Sequence, residues 1–300
     1  MTTNPSLATI EANLQREIRN ELERIGIHFR LHSRVKQKDS LNEKIASKGE
    51  GYYTEDGKKV QDVIGLRIVT YFIDDVNLLW DWFKCKYDVV EDQYDKAEKD
   101  VFKPLRKNMI CRLRDTDIRT FEDIRKEDPL YKIIDTTFEV QFRTTLSEGW
   151  HEVDHTLRYK CQSDWDEYDN ESRMLNGVFA SLETNDRALK ALFDDMSYNH
   201  YKKMNWEGML RMKFRLQFVQ KELTLSSLLT ENKRLAKRIF RFDRIDLISE
   251  VAKSGIHLPV SFDNIIYLII YLENFDSALM GMIPDLIKEE LINCDIYPRS

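Results

Sequence analysis

The sequence predicts an α+β protein, in which a mixed β-sheet flanked by helices is followed by an all-helical C-terminal region. In the first part of the chain, apolar and polar residues alternate in short segments, a period of two that is typical of half-buried strands. Helical segments separate most of these strands, which favours a sheet with helices packed on it. From Trp165 onward, turn signals are rare and residues such as Phe214 and Phe218 recur at helical spacing. We therefore expect two domains, 1–165 and 166–300.

The order of the elements follows from the period of the apolar residues and from residues that start or stop helices. Ser6 is expected to cap the first helix, and Gly26 ends it. Asp39 or Ser40 is expected to cap the second helix. The polar stretch 114–128 indicates an insertion or a short helix. The predicted elements are helix 7–25, strand 27–36, helix 40–48, strand 61–72, helix 74–87, strands 88–91, 108–113 and 132–143, and a helix from Leu146.

The segment from Ile134 to Lys160 joins a strand to a helix and carries several chemically reactive side chains. One face of the strand is apolar, with Phe138, Val140 and Phe142. The opposite face presents a carboxylate, an amide and a guanidinium, from Glu139, Gln141 and Arg143. The helix is expected to bury a single stripe formed by Leu146, Trp150, Val153 and Leu157. Its polar flank carries Glu148, Glu152, His155 and Tyr159. This arrangement is more typical of a catalytic edge than of a core strand.

Two further groups of charged residues lie upstream. Cations cluster near the start of the second helix, where helix N-termini and basic side chains both favour anions. This cluster is Arg34, Lys36, Ser40, Lys44 and Lys48. It suits a polyphosphate, and the alternative is a solvated basic face. Asp62 and Arg67 flank or interrupt a buried strand, where a charge is costly unless it is paired or bound to a ligand.

Composition excludes several classes of protein. The net charge of −6 and the pI near 5.7 argue against bulk electrostatic binding of nucleic acid, although a local basic patch remains compatible with them. The four cysteines are scattered, which is typical of a reduced cytosolic protein. We find neither a signal sequence nor 18 consecutive apolar residues, so we expect a cytoplasmic protein without membrane association.

Several segments in one order resemble the synthetase domain of the RelA/SpoT family, over roughly residues 10–165. They are RVKQKDSLNEK (34–44), DVIGLRI (62–68), an Asp-Asp-Val helix, EVQFRT (139–144) and WHEVDHTLRYK (150–160). The chain has no His-Asp dyad, so the hydrolase domain of the family is expected to be absent. The resemblance implies transfer of pyrophosphate from ATP to a ribose 3′-hydroxyl, with release of AMP.

The resemblance also implies roles for individual residues. Asp62 and Glu139 would hold Mg²⁺, and Glu139 would also act as general base. Arg34 and Arg67 would stack on the adenine of ATP. The donor phosphates would contact Lys36, Ser40 and Lys44. The acceptor side would be lined or supported by Gln141, Arg143, His155 and Lys160.

The acceptor loop departs from the family pattern. Alarmone synthetases carry a Tyr-x-Ser-x-His type loop whose tyrosine stacks on guanine, whereas the stretch FKPLRKNMICRL (102–113) has neither tyrosine nor histidine. Phe102 is the candidate stacking face, and the candidate phosphate ligands are Lys103, Arg106 and Lys107. The leading hypothesis is a pyrophosphokinase acting on a GDP- or GTP-type nucleotide. The alternatives are the same transfer onto the tRNA 3′ end, as a toxin or phage-defence effector, and a nucleotide-sensing regulator without turnover.

Three other signals have competing interpretations. His151 to His155 match HExxH, a zinc-protease pattern, with Glu167, Glu171 or Glu183 as candidate third ligands. Basic residues recur at helical spacing between Lys233 and Arg244, which fits either an RNA-binding stripe or a solvated helix. The segment from Phe262 to Tyr271 is apolar nearly all round, as in a buried core or a homo-oligomer contact.

Overall fold

The structure is a computed structural model that describes residues 4–96, 98, 102, 105–219 and 222–298. It confirms the predicted fold class, because a mixed five-stranded sheet is accompanied by helices and the C-terminal region is helical. The strands are β1 (Phe29–Val35), β2 (Ile64–Thr70), β3 (Val89–Tyr94), β4 (Lys107–Arg112) and β5 (Thr137–Thr144). The helices up to the last strand are α1 (Pro5–Ile25), α2 (Lys38–Lys48), α3 (Ile73–Lys86) and α4 (Asp115–Glu127).

The helices after β5 complete the chain. They are α5 (Thr145–Leu157), α6 (Asp169–Lys202), α7 (Trp206–Phe214), α8 (Ser226–Glu231), α9 (Lys233–Arg241), α10 (Arg244–Ser254), α11 (Phe262–Leu272), α12 (Ser277–Gly281) and α13 (Asp285–Asn293). Two 3-10 segments, Pro129–Ile133 and Tyr159–Trp165, flank β5 and α5. In the part of the chain that the structure describes, no helix combines the length and the apolar character that crossing a membrane requires.

The sheet has the order β1-β2-β5-β4-β3, with β5 at its centre. The pair β2 and β5 is parallel, and the other three pairs are antiparallel. Phe138, Val140 and Phe142 of β5 are buried, as the alternation of the sequence predicts. The alternate residues of this strand are only partly buried and share the opposite face.

Contacts divide the chain into two compact units, each built from three segments. The first unit comprises the described residues of Met1–Arg19, Phe29–Tyr71 and Lys86–Thr184. The second comprises those of Asn20–His28, Phe72–Cys85 and Asn185–Ser300. The predicted sequence boundary at residue 165 stays a prediction.

The second unit contains a buried cluster of two aspartates and two arginines. Arg215 and Arg244 are 4% and 6% exposed. Both donate to Asp74 Oδ2, from Arg215 Nη2 at 2.5 Å and from Arg244 Nη1 at 3.3 Å. Arg244 Nη2 lies 2.7 Å from Oδ1 of the fully buried Asp75. Each buried charge therefore faces an opposite charge, which offsets part of the cost of removing both from water.

Helix starts and one helix face differ from the predictions. Asn4, not Ser6, accepts from the first backbone amides of α1. The predicted cap of α2 is also wrong, because this helix begins at Lys38 after Gln37, which places Ser40 in its first turn. The N-cap residue of α2, Gln37, makes no capping hydrogen bond through its side chain, so a polar side chain does not mark the start of this helix.

The predicted apolar stripe of α5 is wrong in part. Trp150 is buried, whereas Val153 and Leu157 are 46% and 60% exposed. Helical spacing determines which residues share a face, but it does not determine whether another element covers the whole length of that face. The stretch 114–128, predicted as an insertion or a short helix, contains the 13-residue helix α4.

Candidate active site

The polar face of the sheet forms the floor of a cleft in the first unit. Pairing places Arg34 of β1 opposite Gly65 of β2, and Gly65 opposite Glu139 of β5. Arg67 pairs with Gln141, which is also opposite Asn108 of β4. Paired residues of neighbouring strands point to the same side of a sheet. Four strands therefore present polar side chains on one surface.

The cleft has a volume of about 870 Å³. It brings together nine of the predicted site residues, namely Arg34, Asp62, Arg67, Arg106, Glu139, Gln141, Arg143, His155 and Lys160. A cleft of this size is within the range that small-molecule sites occupy.

Lys36 and Lys44 contact the cleft through Asp62. Lys36 Nζ lies 2.6 Å from Asp62 Oδ2, and Lys44 Nζ lies 2.7 Å from Oδ1. Although burial opposes the effect, hydrogen bonds from these two lysines lower the pKa of Asp62. Burial lowers the pKa of Lys36, and its bond to Asp62 only partly compensates. Asp62 is therefore a carboxylate held in its charged form between two ammonium groups.

Glu139 lies in the same cleft and is sensitive to the charge of Asp62. Burial raises the pKa of Glu139, and the neighbouring Asp62 carboxylate raises it further. Asn108 Nδ2 donates to Glu139 Oε1 at 3.0 Å, and Gln141 Nε2 donates to Oε2 at 3.2 Å. Each carboxylate oxygen thus has one fixed donor, and this arrangement orients the group toward the cleft.

A network of ion pairs fixes the two guanidinium groups of the floor. Glu148 accepts from Arg67 Nη1 at 2.6 Å and from Arg143 Nη1 at 2.8 Å. Glu152 also accepts from Arg67. Although burial opposes the effect, these carboxylates raise the pKa of Arg67. Burial lowers the pKa of Arg143, and the nearby Arg67 lowers it further. Glu148 therefore holds both cations at a defined place.

The lining of the cleft also includes an imidazole and a phenol, from His155 and Tyr159. The rings of His155 and Tyr159 are stacked, with centroids 5.7 Å apart and an interplanar angle of 13°. Lys160 also lines the cleft. Burial lowers the pKa of His155, and the charge of Lys160 lowers it further. His155, Tyr159 and Lys160 therefore give the cleft an aromatic surface and a cation.

Three predicted residues are not brought to the cleft by the described structure. Ser40 is exposed in the first turn of α2, and Phe102 is 53% exposed; neither lines the cleft. Lys103 lies outside the described residues. Lys107 does line the cleft, where burial lowers its pKa. Its ammonium lies 4.8 Å from the centroid of the Tyr94 ring.

The sequence did not single out Asn108, although this residue holds Glu139. The signal was the antiparallel register of β4 against β5, which places Asn108 opposite Gln141. Such a register depends on strand pairing and is not visible in the sequence of β4 alone.

The zinc-protease alternative finds no support. No group of three or more histidine, cysteine, aspartate or glutamate side chains suited to a metal ion occurs among the described residues. His151 instead lies against aromatic rings, with its centroid 5.5 Å from that of Trp150 and 6.4 Å from that of Phe179.

All of the residues given above as lining the cleft lie in a segment that matches a known family. Residues 33–164 match the family model described as "Region found in RelA / SpoT proteins". No curated protein matches the chain.

Solved structures give partial likenesses. A GTP pyrophosphokinase family protein from Streptococcus pneumoniae is 20% identical, with a TM-score of 0.49 over 64% of this chain and 90% of its own. Small alarmone synthetase 1 from Bacillus subtilis is 19% identical, with a TM-score of 0.46 over 62% of this chain and 93% of its own.

Proposed function

We propose that this chain, whose residues 33–164 form a RelA/SpoT-family domain, is an ATP-dependent pyrophosphokinase of the (p)ppGpp-synthetase type. The reaction would move the β- and γ-phosphates of ATP onto a nucleotide 3′-hydroxyl and release AMP. The observation that carries the proposal is the convergence of Asp62 and Glu139 in one cleft whose remaining wall is rich in cations. Phosphoryl transfer depends mainly on positioning and on neutralising charge.

The donor side would be built from the cations of β1, α2 and β2. Arg34 and Arg67 line the cleft, and their planar guanidinium groups suit stacking on a nucleobase. Lys36 and Lys44 are held at Asp62 by bonds of 2.6 and 2.7 Å. A triphosphate offers these ammonium groups a stronger set of acceptors than a single carboxylate does. We expect them to turn toward the phosphates when ATP binds.

The two carboxylates fit a divalent cation. Mg²⁺ is commonly bound by one or two carboxylates together with substrate phosphates. Burial and then the charge of Asp62 raise the pKa of Glu139, and a cation between the two groups would relieve their mutual repulsion. Asp62 and Glu139 would hold the ion, which supplies charge neutralisation for the phosphates.

Glu139 is the candidate general base for the acceptor hydroxyl. Asn108 and Gln141 hold its two oxygens, and a carboxylate with a raised pKa is a better proton acceptor than an exposed one. The acceptor would lie between Glu139 and the wall formed by Arg143, His155 and Lys160. We propose a guanine nucleotide as acceptor, bound by Lys107 and Arg106 through its phosphates.

The test is incubation with γ-labelled ATP, Mg²⁺ and a panel of GDP, GTP, ADP, ATP and tRNA, with measurement of AMP and of labelled product. We expect AMP release with a guanine nucleotide, and its loss by a factor of about 10² to 10⁴ in Glu139→Gln. Asp62→Asn is expected to behave in the same way. The matched control is Asp88→Asn, which removes an exposed carboxylate paired with Arg112 outside the cleft.

The outcomes separate the competing functions. If the label appears in tRNA and no labelled nucleotide is formed, the acceptor is tRNA and the proposed guanine nucleotide is wrong. ATP binding without AMP release under every acceptor would contradict turnover and favour a nucleotide-sensing regulator.

A further inference from the structure

Helix α9, in the second unit, has an exposed face that carries only positive charges. Its nine residues include five cations and no acidic side chain. The exposed cations are Lys233, Arg234, Lys237, Arg238 and Arg241. Leu235, Ala236 and Ile239 on the other side are buried. The helix is therefore anchored by its apolar face and offers its basic face to solvent.

Most of this charge is not balanced by ion pairs within the described residues. Arg238 contacts Glu273. No ion pair joins Lys233, Arg234, Lys237 or Arg241 to a described carboxylate. Asp243 follows the helix, but its side chain caps α10 by accepting from Asp246 N at 3.0 Å. A concentrated positive face on a chain of net charge −6 is a local feature that overall composition does not explain.

The cations form a row with a defined length. Lys233, Lys237 and Arg241 recur every four residues, so they lie along one side of the helix over about 12 Å. A single nucleic-acid strand carries one phosphate per 3.4 Å of helix axis, so about three to four phosphates match this length. The basic face of α9 is thus extended in one direction, as a polyanion requires.

The neighbouring end of α6 extends the surface. Phe240 of α9 stacks on Tyr201, with centroids 4.7 Å apart, and also contacts Tyr198 at 5.9 Å. Lys202 Nζ lies 5.1 Å from the centroid of Tyr198. Aromatic contacts therefore fix α9 against the end of α6, which carries a further lysine.

We propose that the exposed face of α9 binds the phosphate backbone of a nucleic acid. The helix does not suit insertion into a membrane, because its apolar side chains are buried in the protein and are not free to enter a bilayer. The proposal is independent of the reaction proposed for the cleft, since every residue that carries it lies in the second unit.

The test measures binding of fluorescein-labelled single-stranded RNA, duplex RNA and duplex DNA by anisotropy between about 50 and 200 mM salt. Lys233→Gln/Lys237→Gln is compared with Lys84→Gln/Lys253→Gln, which removes the same charge from exposed positions of the same unit outside α9. Vesicles containing anionic lipid are a further arm. The variant Lys233→Arg/Lys237→Arg keeps both positive charges and tests whether charge alone is sufficient for binding.

We expect the α9 pair to weaken binding about tenfold and to lower the salt slope by about 1.4 for single strands, while the control pair stays within about twofold. The arginine pair should retain wild-type binding. The nucleic acid that binds most tightly, among single-stranded RNA, duplex RNA and duplex DNA, identifies the kind of ligand. Equal weakening by both glutamine pairs, no binding at low salt, or binding to vesicles but not to nucleic acids would overturn the proposal. Circular dichroism of each variant verifies folding.

Discussion

His151 makes the stability of the first unit depend on pH. Its imidazole lies beside the rings of Trp150 and Phe179, and burial lowers its pKa from an ordinary value of 6.5 to about 4, with a smaller contribution from the charge of Arg143. Above pH 6.5 the imidazole is neutral in both the folded and the unfolded state. Between pH 6.5 and about 4, the unfolded state binds a proton that the folded state does not. Stability is therefore lost as the pH falls through this window.

The magnitude follows from the separation of the two pKa values. A difference of about 2.5 corresponds to roughly 3 kcal/mol when each pKa unit contributes about 1.36 kcal/mol. By about pH 5, some 2 kcal/mol of the free energy of unfolding should be lost relative to about pH 7.5. Because the side chain is not fully buried, solvent screening reduces this loss of stability.

The assay is urea unfolding of wild type and His151→Asn at both pH values. The variant should lack this part of the pH dependence, so its loss of stability on acidification should be smaller by about 1 to 2 kcal/mol. His257→Asn, which changes an exposed imidazole in the second unit, is the control and should follow wild type. An identical loss in wild type and His151→Asn would refute the assignment of a half-buried imidazole that stays neutral in the folded state.

Three further predictions concern fixed contacts. Arg244→Met should lower the free energy of unfolding by about 3–5 kcal/mol, because it leaves the buried Asp75 without its partner; exposed Arg241→Met is the matched control in urea unfolding, and equal effects would contradict the role of the pair. Glu148→Gln weakens two charge-assisted bonds, so kcat/KM for ATP should fall by about 10 to 100-fold; unchanged kinetics would show that the guanidinium groups need no such support. Asn108→Ala frees one oxygen of Glu139, so AMP release should slow about tenfold with little change in KM, whereas a change in KM alone would place Asn108 in substrate binding.

The polar face of β5 illustrates what local sequence can predict. Alternation around Glu139, Gln141 and Arg143 is a property of the strand itself, since successive side chains point to opposite faces. The structure has these residues on the predicted face. Their catalytic and binding roles stay predictions.

The partners of these residues could not be predicted from local patterns. Asn108 contacts Glu139 across 31 positions of the chain, and Lys36 contacts Asp62 across 26. Such contacts depend on strand order and register, which arise from packing of the whole sheet. The exposure of Val153 and Leu157 has the same origin, because helical spacing alone cannot show which part of a face is covered.

The sequence by itself determined the order of the five strands and of the helices α1, α2, α3 and α5, and the face on which the polar residues of β5 lie, because hydrophobic period and backbone geometry are local properties. Only the tertiary structure decided which strands are neighbours, that two lysines meet Asp62, and that residues 72–85 belong with the C-terminal unit. These features depend on contacts between distant segments, whose free energies arise only when the chain has folded.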